Sequence, residues 1–129
     1  ILCLLSLCCS TERDKRLYSK RIGGKLMKRP DIVRRIAEVI HRIAPDAKTI
    51  LYGSEARGDA RHDSDIDLLI LLDDSEELTP DRELELRRPL SELEAQTGVA
   101  INALVLLRHA WEQLVSPFTI NVSREGIVL

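Results

Sequence analysis

The 129-residue sequence is 44% hydrophobic and 31% charged with a formal net charge of -2, so it can bury one modest core and has no room for a second full domain. No window approaches the long apolar run of a transmembrane helix, and we expect a soluble protein without membrane association. All three cysteines lie within the first nine residues, which excludes disulfides and cysteine-based metal sites elsewhere and suits a reducing cytoplasm.

The first 26 residues differ in charge from the rest, because they hold six Lys/Arg against two Asp/Glu while the remainder is net acidic. Their apolar start, ILCLLSLCCS, could be a truncated signal peptide or a lipoprotein-type cleavage site, but no basic region precedes it. The only methionine is Met27, and a helical pattern follows it. We therefore expect residues 1–26 to be a non-native or disordered extension, and residues 27–129 to form the single domain.

A helix is predicted first, because apolar residues recur at helical spacing between Pro30 and Pro45. The segment Lys48–Tyr52 is typical of a short strand that ends at Gly53, and Ser54 is predicted to be the N-cap of a brief helical turn. Residues 65–72 form the next strand. They are apolar on both faces apart from two aspartates, so this strand is predicted to be central in its sheet.

A long helix is predicted next, with Thr79 as N-cap, Pro80 as first helical residue and Gly98 after its end. Pro89 should kink this helix or split it in two. The face expected to be buried carries three leucines: Leu86, Leu90 and Leu93.

The last part of the chain is predicted to begin with a third strand at residues 99–107, in which Asn102 is the only polar residue. A helical region around Trp111 follows and restarts after Pro117. Because aromatic residues total only 3%, we expect Trp111 and Phe118 to lie in the core or to contact another chain.

Two aspartates stand one residue apart at the start of the central strand. Alternate side chains of a strand share a face, so Asp65 and Asp67 point the same way. Two buried like charges repel unless a cation is near or one carboxyl is protonated. Hard oxygen ligands suit Mg²⁺, which usually takes one or two protein carboxylates and completes its shell with waters and substrate phosphates. The alternative is a strand edge at which both acids are solvated.

The Gly53-Ser54 turn supplies a second candidate site. Glycine allows a phosphate to approach the backbone, and amides at a helix N-terminus together with the Ser54 hydroxyl can hold it. With the aspartates, this turn implies a magnesium nucleoside triphosphate as ligand. The alternative is an ordinary turn and helix cap. Arg57 either contacts a phosphate or forms a surface salt bridge, and Glu55 is expected to be solvated.

Two motifs, GSEARG at residues 53–58 and SDIDLL at residues 64–69, together resemble the signature of the polymerase-beta-type nucleotidyltransferase superfamily, closest to its minimal nucleotidyltransferase branch. The resemblance implies an α/β (α+β) fold like the polymerase-beta palm, with a small mixed sheet packed by helices on one side. It also implies transfer of a nucleoside monophosphate, usually AMP from ATP, to a hydroxyl with release of pyrophosphate.

The same resemblance implies roles for individual residues. Gly53 and Ser54 would hold the outer phosphates, and Arg57 would steady the triphosphate. Asp65 and Asp67 would be catalytic and would bind two Mg²⁺ ions, which neutralise charge on the reacting phosphorus and align the attacking and leaving oxygens.

The sequence departs from the family pattern on the third strand. Family members usually place a third carboxylate there, and Asn102 lies at that catalytic position. An amide oxygen is a poor metal ligand and no general base. Either catalysis is weakened, or Asp73, Asp74 or a residue of a partner takes over the role. A further alternative is that Asn102 is a polar residue without a role.

Larger relatives bind the base or the acceptor with a second domain, for which this chain has no room. The resemblance therefore also implies a partner that completes the site. In the minimal branch the partner is commonly a helical HEPN-type protein, an RNase toxin, and the nucleotidyltransferase is an antitoxin that adenylylates its tyrosine. The alternatives are an antitoxin that acts by binding alone and a small-molecule nucleotidyltransferase of the aminoglycoside-modifying kind. Direct nucleic-acid binding is not expected, because the acidic body offers no basic groove with aromatic stacking positions.

Overall fold

The computed structural model describes residues 21–22 and 25–129. Most of the extension predicted for residues 1–26 therefore lies outside the described residues. Within it, Arg21–Ile22 (β1) and Lys25–Leu26 (β2) pair as two short antiparallel strands. None of the helices described combines the length and apolar character that crossing a bilayer requires.

The main sheet has four strands in the order β5-β4-β3-β6. It consists of β3 (Lys48–Tyr52), β4 (Ile66–Leu72), β5 (Ile101–Leu107) and β6 (Ile127–Val128). Strand β4 is antiparallel to β3 and parallel to β5, so the sheet is mixed. The predicted central strand is confirmed, because β4 has a neighbour on each side and six of its seven residues are buried.

Five helices connect or flank these strands in the described part of the chain. They are α1 (Pro30–Ile43), α2 (Gly53–Arg57), α3 (Pro80–Thr97), α4 (Arg108–Gln113) and α5 (Pro117–Glu125). The predicted order of helices and strands is confirmed, including the break between α4 and α5 before the last proline.

Helix α3 begins and ends where the sequence predicts. The Thr79 hydroxyl accepts the backbone N–H of Arg82 at the N-terminus, and Gly98 adopts the left-handed conformation, with φ 71°, after the last turn. Pro89 does not split the helix, so that alternative is wrong. It removes one backbone donor, but the carbonyl that loses its partner belongs to the exposed Glu85, where water can replace the hydrogen bond.

The core lies mainly between the sheet and the two long helices. Helices α1 and α3 cover one face and pack on alternate residues of β4: Ile66, Leu68, Ile70 and Leu72. The prediction that the helices pack on one side of the sheet is wrong in part, because α5 packs on the other face. The opposite face carries Leu69 and Leu71, which pack with Val122 of the short helix α5. Because alternate residues of a strand share a face, Asp67 lies on the same second, more open face as Leu69 and Leu71.

Candidate functional site

Three polar side chains form a row across the second face of the sheet. Tyr52 on β3 lies opposite Asp67 on β4, and Asp67 lies opposite Asn102 on β5. Because β3 is antiparallel to β4, the end of β3 meets the starts of β4 and β5. The topology therefore brings Gly53, which follows β3, to the same end of the sheet as Asp65, which precedes β4.

Asn102 bridges the two aspartates. Its Nδ2 donates to Asp65 Oδ2 at 2.8 Å and to Asp67 Oδ1 at 3.4 Å. The pKa of Asp67 is raised, chiefly by burial and further by the charge of Asp65, while the hydrogen bond from Asn102 opposes the rise. The amide therefore offsets the rise in the pKa of Asp67 only in part.

The backbone of Gly53 passes directly beside Asp67. Gly53 has φ +74°, and a Cβ at this position would lie 2.5 Å from Asp67 Oδ2. Glycine is thus required by the backbone conformation and by the close approach of the carboxylate. Helix α2 begins at Gly53 with Tyr52 as N-cap, so the prediction that Ser54 caps it is wrong. The Ser54 hydroxyl makes no hydrogen bond within the described residues.

Arg57 forms ion pairs rather than pointing free into solvent. Its Nη1 lies 3.1 Å from Glu125 Oε2 and 3.3 Å from Oε1, and its Nε lies 3.3 Å from Asp59 Oδ2. The hydrogen bond to Glu125 is the main cause that raises the pKa of Arg57. The backbone N–H of Gly53 also donates to Glu125 Oε1, at 3.2 Å. Sequence reasoning missed Glu125, because its position near the end of α5 carries no local signal.

Glu55 is fully buried, so the prediction that it is solvated is wrong. The backbone N–H of Arg29 donates to Glu55 Oε1, and Arg29 Nε donates to Oε2 at 2.9 Å. Arg29 Nη1 also donates to the carbonyl of Ser64 at 2.7 Å. Arg29 therefore ties the start of α1 to α2 and to the residue that precedes Asp65. Local sequence does not reveal this burial, because the partner lies 26 residues upstream.

An aromatic group borders the site beside Asp67. The rings of Tyr52 and Phe118 meet edge-to-face with centroids 5.4 Å apart, and those of Phe118 and Trp111 do so at 6.1 Å. Burial and, secondarily, the charge of Asp67 raise the pKa of Tyr52. Trp111 packs against the apolar cluster of this face, whereas Phe118 is 40% exposed.

Asp73 and Asp74 cannot take over the role of a third carboxylate, and that prediction is wrong. They follow β4 at its far end, roughly 25 Å from Asp65 at about 3.3 Å per strand residue. Asp74 accepts hydrogen bonds from the backbone N–H and the ring of His109, which lower its pKa.

The oxygen ligands at this site are of the kind that hard divalent cations prefer. Asp65 and Asp67 supply carboxylate oxygens on one face, and Mg²⁺ usually takes one or two protein carboxylates. No group of three or more His, Cys, Asp or Glu arranged to hold a metal occurs among the residues described. Asn102 turns its amide donor toward the carboxylates, so the amide must rotate before its oxygen can face a cation.

The chain is similar to known proteins in sequence pattern and in fold. Residues 33–127 match the family model of a nucleotidyltransferase domain. A structure solved as a toxin-antitoxin with AMP-PNP is 18% identical with a TM-score of 0.54, and the match covers 74% of this chain and 69% of that chain. A proposed nucleotidyltransferase from Sulfolobus solfataricus is also 18% identical, with a TM-score of 0.49 and 76% of each chain covered. None of the curated protein sequences compared matches. The first structural match and the family model confirm the polymerase-beta-like fold.

Proposed function

Since the chain belongs to the nucleotidyltransferase domain family, we propose that it is a Mg²⁺-dependent enzyme that transfers AMP from ATP to a hydroxyl of a partner protein, as the antitoxin of a toxin-antitoxin pair. One observation carries this proposal. The Asp65 and Asp67 carboxylates and the Gly53 backbone converge at one end of the sheet, on its open face.

The outer phosphates would be held by three groups. Gly53 has no side chain that could block its backbone N–H. Arg57 directs its guanidinium to the carboxylate of Glu125, which this N–H also contacts. The hydroxyl of Ser54, the next residue, has no hydrogen-bond partner in the described part of the chain. Such donors bind an anion together, because each meets a separate oxygen.

Asp65 and Asp67 would hold Mg²⁺ beside these phosphates. When bound, the cation supplies charge neutralisation at the transferred phosphorus and alignment of the attacking and leaving oxygens. The raised pKa of Asp67 supports this role. It indicates that the protein compensates the charge of this partly buried carboxylate only in part. Asn102 holds both carboxylates in place through its amide hydrogens.

The transfer forms one bond and breaks another. The acceptor oxygen bonds to the α-phosphorus, the bond from that phosphorus to the bridging oxygen breaks, and pyrophosphate leaves with the electron pair. The acceptor proton cannot pass to Asn102, because a carboxamide is no base at neutral pH. Another group must take the proton. We propose water or a base of the acceptor, because Asp65 and Asp67 would be engaged as ligands of Mg²⁺, and we expect slow turnover unless the partner supplies that base.

The partner role is supported by the fold shared with a protein solved as a toxin-antitoxin with AMP-PNP. We propose a helical HEPN-type toxin as the acceptor, with a tyrosine hydroxyl as the nucleophile. A second candidate function is an antitoxin that acts by binding alone. The presence of Asn102 at the third carboxylate position favours this second function.

Label transfer separates the two functions. The full chain is incubated with the proposed HEPN-type partner, α-labelled ATP and Mg²⁺, with Asp65→Ala/Asp67→Ala as the matched control. An enzyme labels the partner only when both aspartates are intact. If no label is transferred and both versions neutralise the partner equally, the function is binding and the transferase proposal is wrong.

A further inference from the structure

Glu125 accepts hydrogen bonds from the same donors that would bind phosphate. Its Oε1 accepts the N–H of Gly53 at 3.2 Å, and both carboxylate oxygens contact Nη1 of Arg57, at 3.1 and 3.3 Å. The side chain is only 19% exposed, although it belongs to the last residue of a surface helix. A backbone N–H and a guanidinium directed at one anionic group are the elements of a phosphate-binding site.

The position of Glu125 in its helix indicates that these contacts compensate an unfavourable placement. A carboxylate in the last turn of a helix is opposed by the helix dipole, which is negative at that end. Glu125 ends α5, and the backbone N–H of Gly53, 72 residues away in sequence, is among its compensating donors. Because these contacts involve the flexible side chain, a rotamer change is enough to withdraw the carboxylate and leave α5 in place.

We propose that Glu125 is an internal competitor for the phosphate site: its carboxylate substitutes for a nucleotide phosphate on Gly53 and Arg57, and a bound triphosphate must displace it. The inference rests on the proposed function of this site. A triphosphate carries several negative charges against one on Glu125, so it can displace the carboxylate. Glu125 thereby lowers the affinity for every phosphate ligand and favours those with the highest charge.

Calorimetric titration of the full chain tests this inference. Wild type and Glu125→Gln are each titrated with ATP and with inorganic triphosphate, both in Mg²⁺. We expect Glu125→Gln to bind both ligands about tenfold more tightly, because a charge-assisted competitor has been removed. Asp59→Asn is the matched control. Asp59 also pairs with Arg57, at an exposed position and without contact to Gly53, so this variant should change affinity by less than about twofold.

Each remaining outcome is decisive. Unchanged or weaker binding by Glu125→Gln would mean that Glu125 holds the Gly53 turn in shape, and the inference would be wrong while the proposed function stands. If no version of the protein binds either ligand, the proposed nucleotide site fails and the inference with it. Glu125→Asp provides a second variant should Glu125→Gln not fold. It shortens the side chain by one methylene, keeps the charge, and should show a smaller gain in the same direction.

Discussion

The side-chain nitrogen of Asn102 donates a 2.8 Å hydrogen bond to Asp65, so a neutral amide lies where a third carboxylate is expected. Asn102→Asp would replace this donor with a charge directly opposite Asp67. We expect the metal-free variant to be about 1 kcal/mol less stable, because like charges opposite each other across strands repel. Added Mg²⁺ should raise its melting temperature more than that of wild type.

Thermal denaturation with EDTA and with Mg²⁺ checks this prediction, and Asn102→Ala is its control. Alanine removes the hydrogen bond without adding a charge, so it should gain nothing extra from Mg²⁺. Equal Mg²⁺ stabilisation of wild type and Asn102→Asp would contradict a cation site at these residues.

The raised pKa of Asp67 predicts a stability that depends on pH. Burial favours the protonated carboxyl, so its contribution to stability is fully present below the ordinary aspartate pKa and is lost as pH rises through the raised pKa. Asp67→Asn should therefore be more stable than wild type at neutral pH, by about 0.5 kcal/mol, and the difference should vanish in acid.

Urea denaturation from neutral pH down to below the ordinary aspartate pKa measures this dependence. Asp73→Asn is a control of opposite sign, because hydrogen bonds from Ser75 lower the pKa of Asp73. That variant should lose stability at neutral pH, and the loss should fade as pH falls. A stability gain of Asp67→Asn that is equal at all pH values would be inconsistent with the account.

The local features of this fold are predictable from sequence because they depend on neighbouring residues. Alternation along one strand places Asp65 and Asp67 on one face, and proline and glycine mark the ends of α3. The error at Ser54 is local as well. Gly53 takes a positive φ and is itself the first residue of the helix, which therefore begins two residues earlier than it would with Ser54 as N-cap.

The contacts that complete the site are not predictable in this way. Glu55 stands in a motif that is otherwise typical of an exposed turn, and only Arg29 from a distant segment explains its burial. Glu125 reaches Gly53 across 72 residues, and its helix carries no feature that distinguishes this glutamate from a solvated one. Both contacts join segments that are distant in sequence, and periodicity within one segment does not reveal them.

Gly53 and Gly98 permit a matched test of the close approach of the Gly53 backbone to Asp67. Both have positive φ, +74° and +71°, but a Cβ at Gly98 would meet nothing within 4 Å, whereas one at Gly53 would meet Asp67. Gly98→Ala should cost about 1 kcal/mol of stability from backbone strain. Gly53→Ala should cost a further ~1–3 kcal/mol from overpacking, and should also weaken ATP binding.

Urea denaturation and calorimetric ATP titration of the two variants separate strain from steric overlap. Equal loss of stability in both, with ATP affinity retained in Gly53→Ala, would show that the approach of Gly53 to Asp67 has no consequence for the site.

The buried pair between Arg29 and Glu55 should be costly to break. Glu55→Ala leaves the guanidinium of Arg29, 12% exposed, without its partner, and we expect a loss of about 3–5 kcal/mol. The exposed Arg87 to Glu83 pair of α3 is the control, and Arg87→Ala should cost less than about 1 kcal/mol. Chemical denaturation measures both, and similar losses would mean that Arg29 does not anchor the site.

The central claim is nucleotidyl transfer at the Asp65 and Asp67 site, and the position of the transferred label tests it most directly. The full chain and its partner are incubated with Mg²⁺ and ATP labelled either on the α-phosphate or on the γ-phosphate. The account predicts that only the α-label appears on the partner, because the γ-phosphate leaves within pyrophosphate. Transfer of the γ-label would indicate phosphoryl transfer, and absence of both labels from the partner would contradict a transferase.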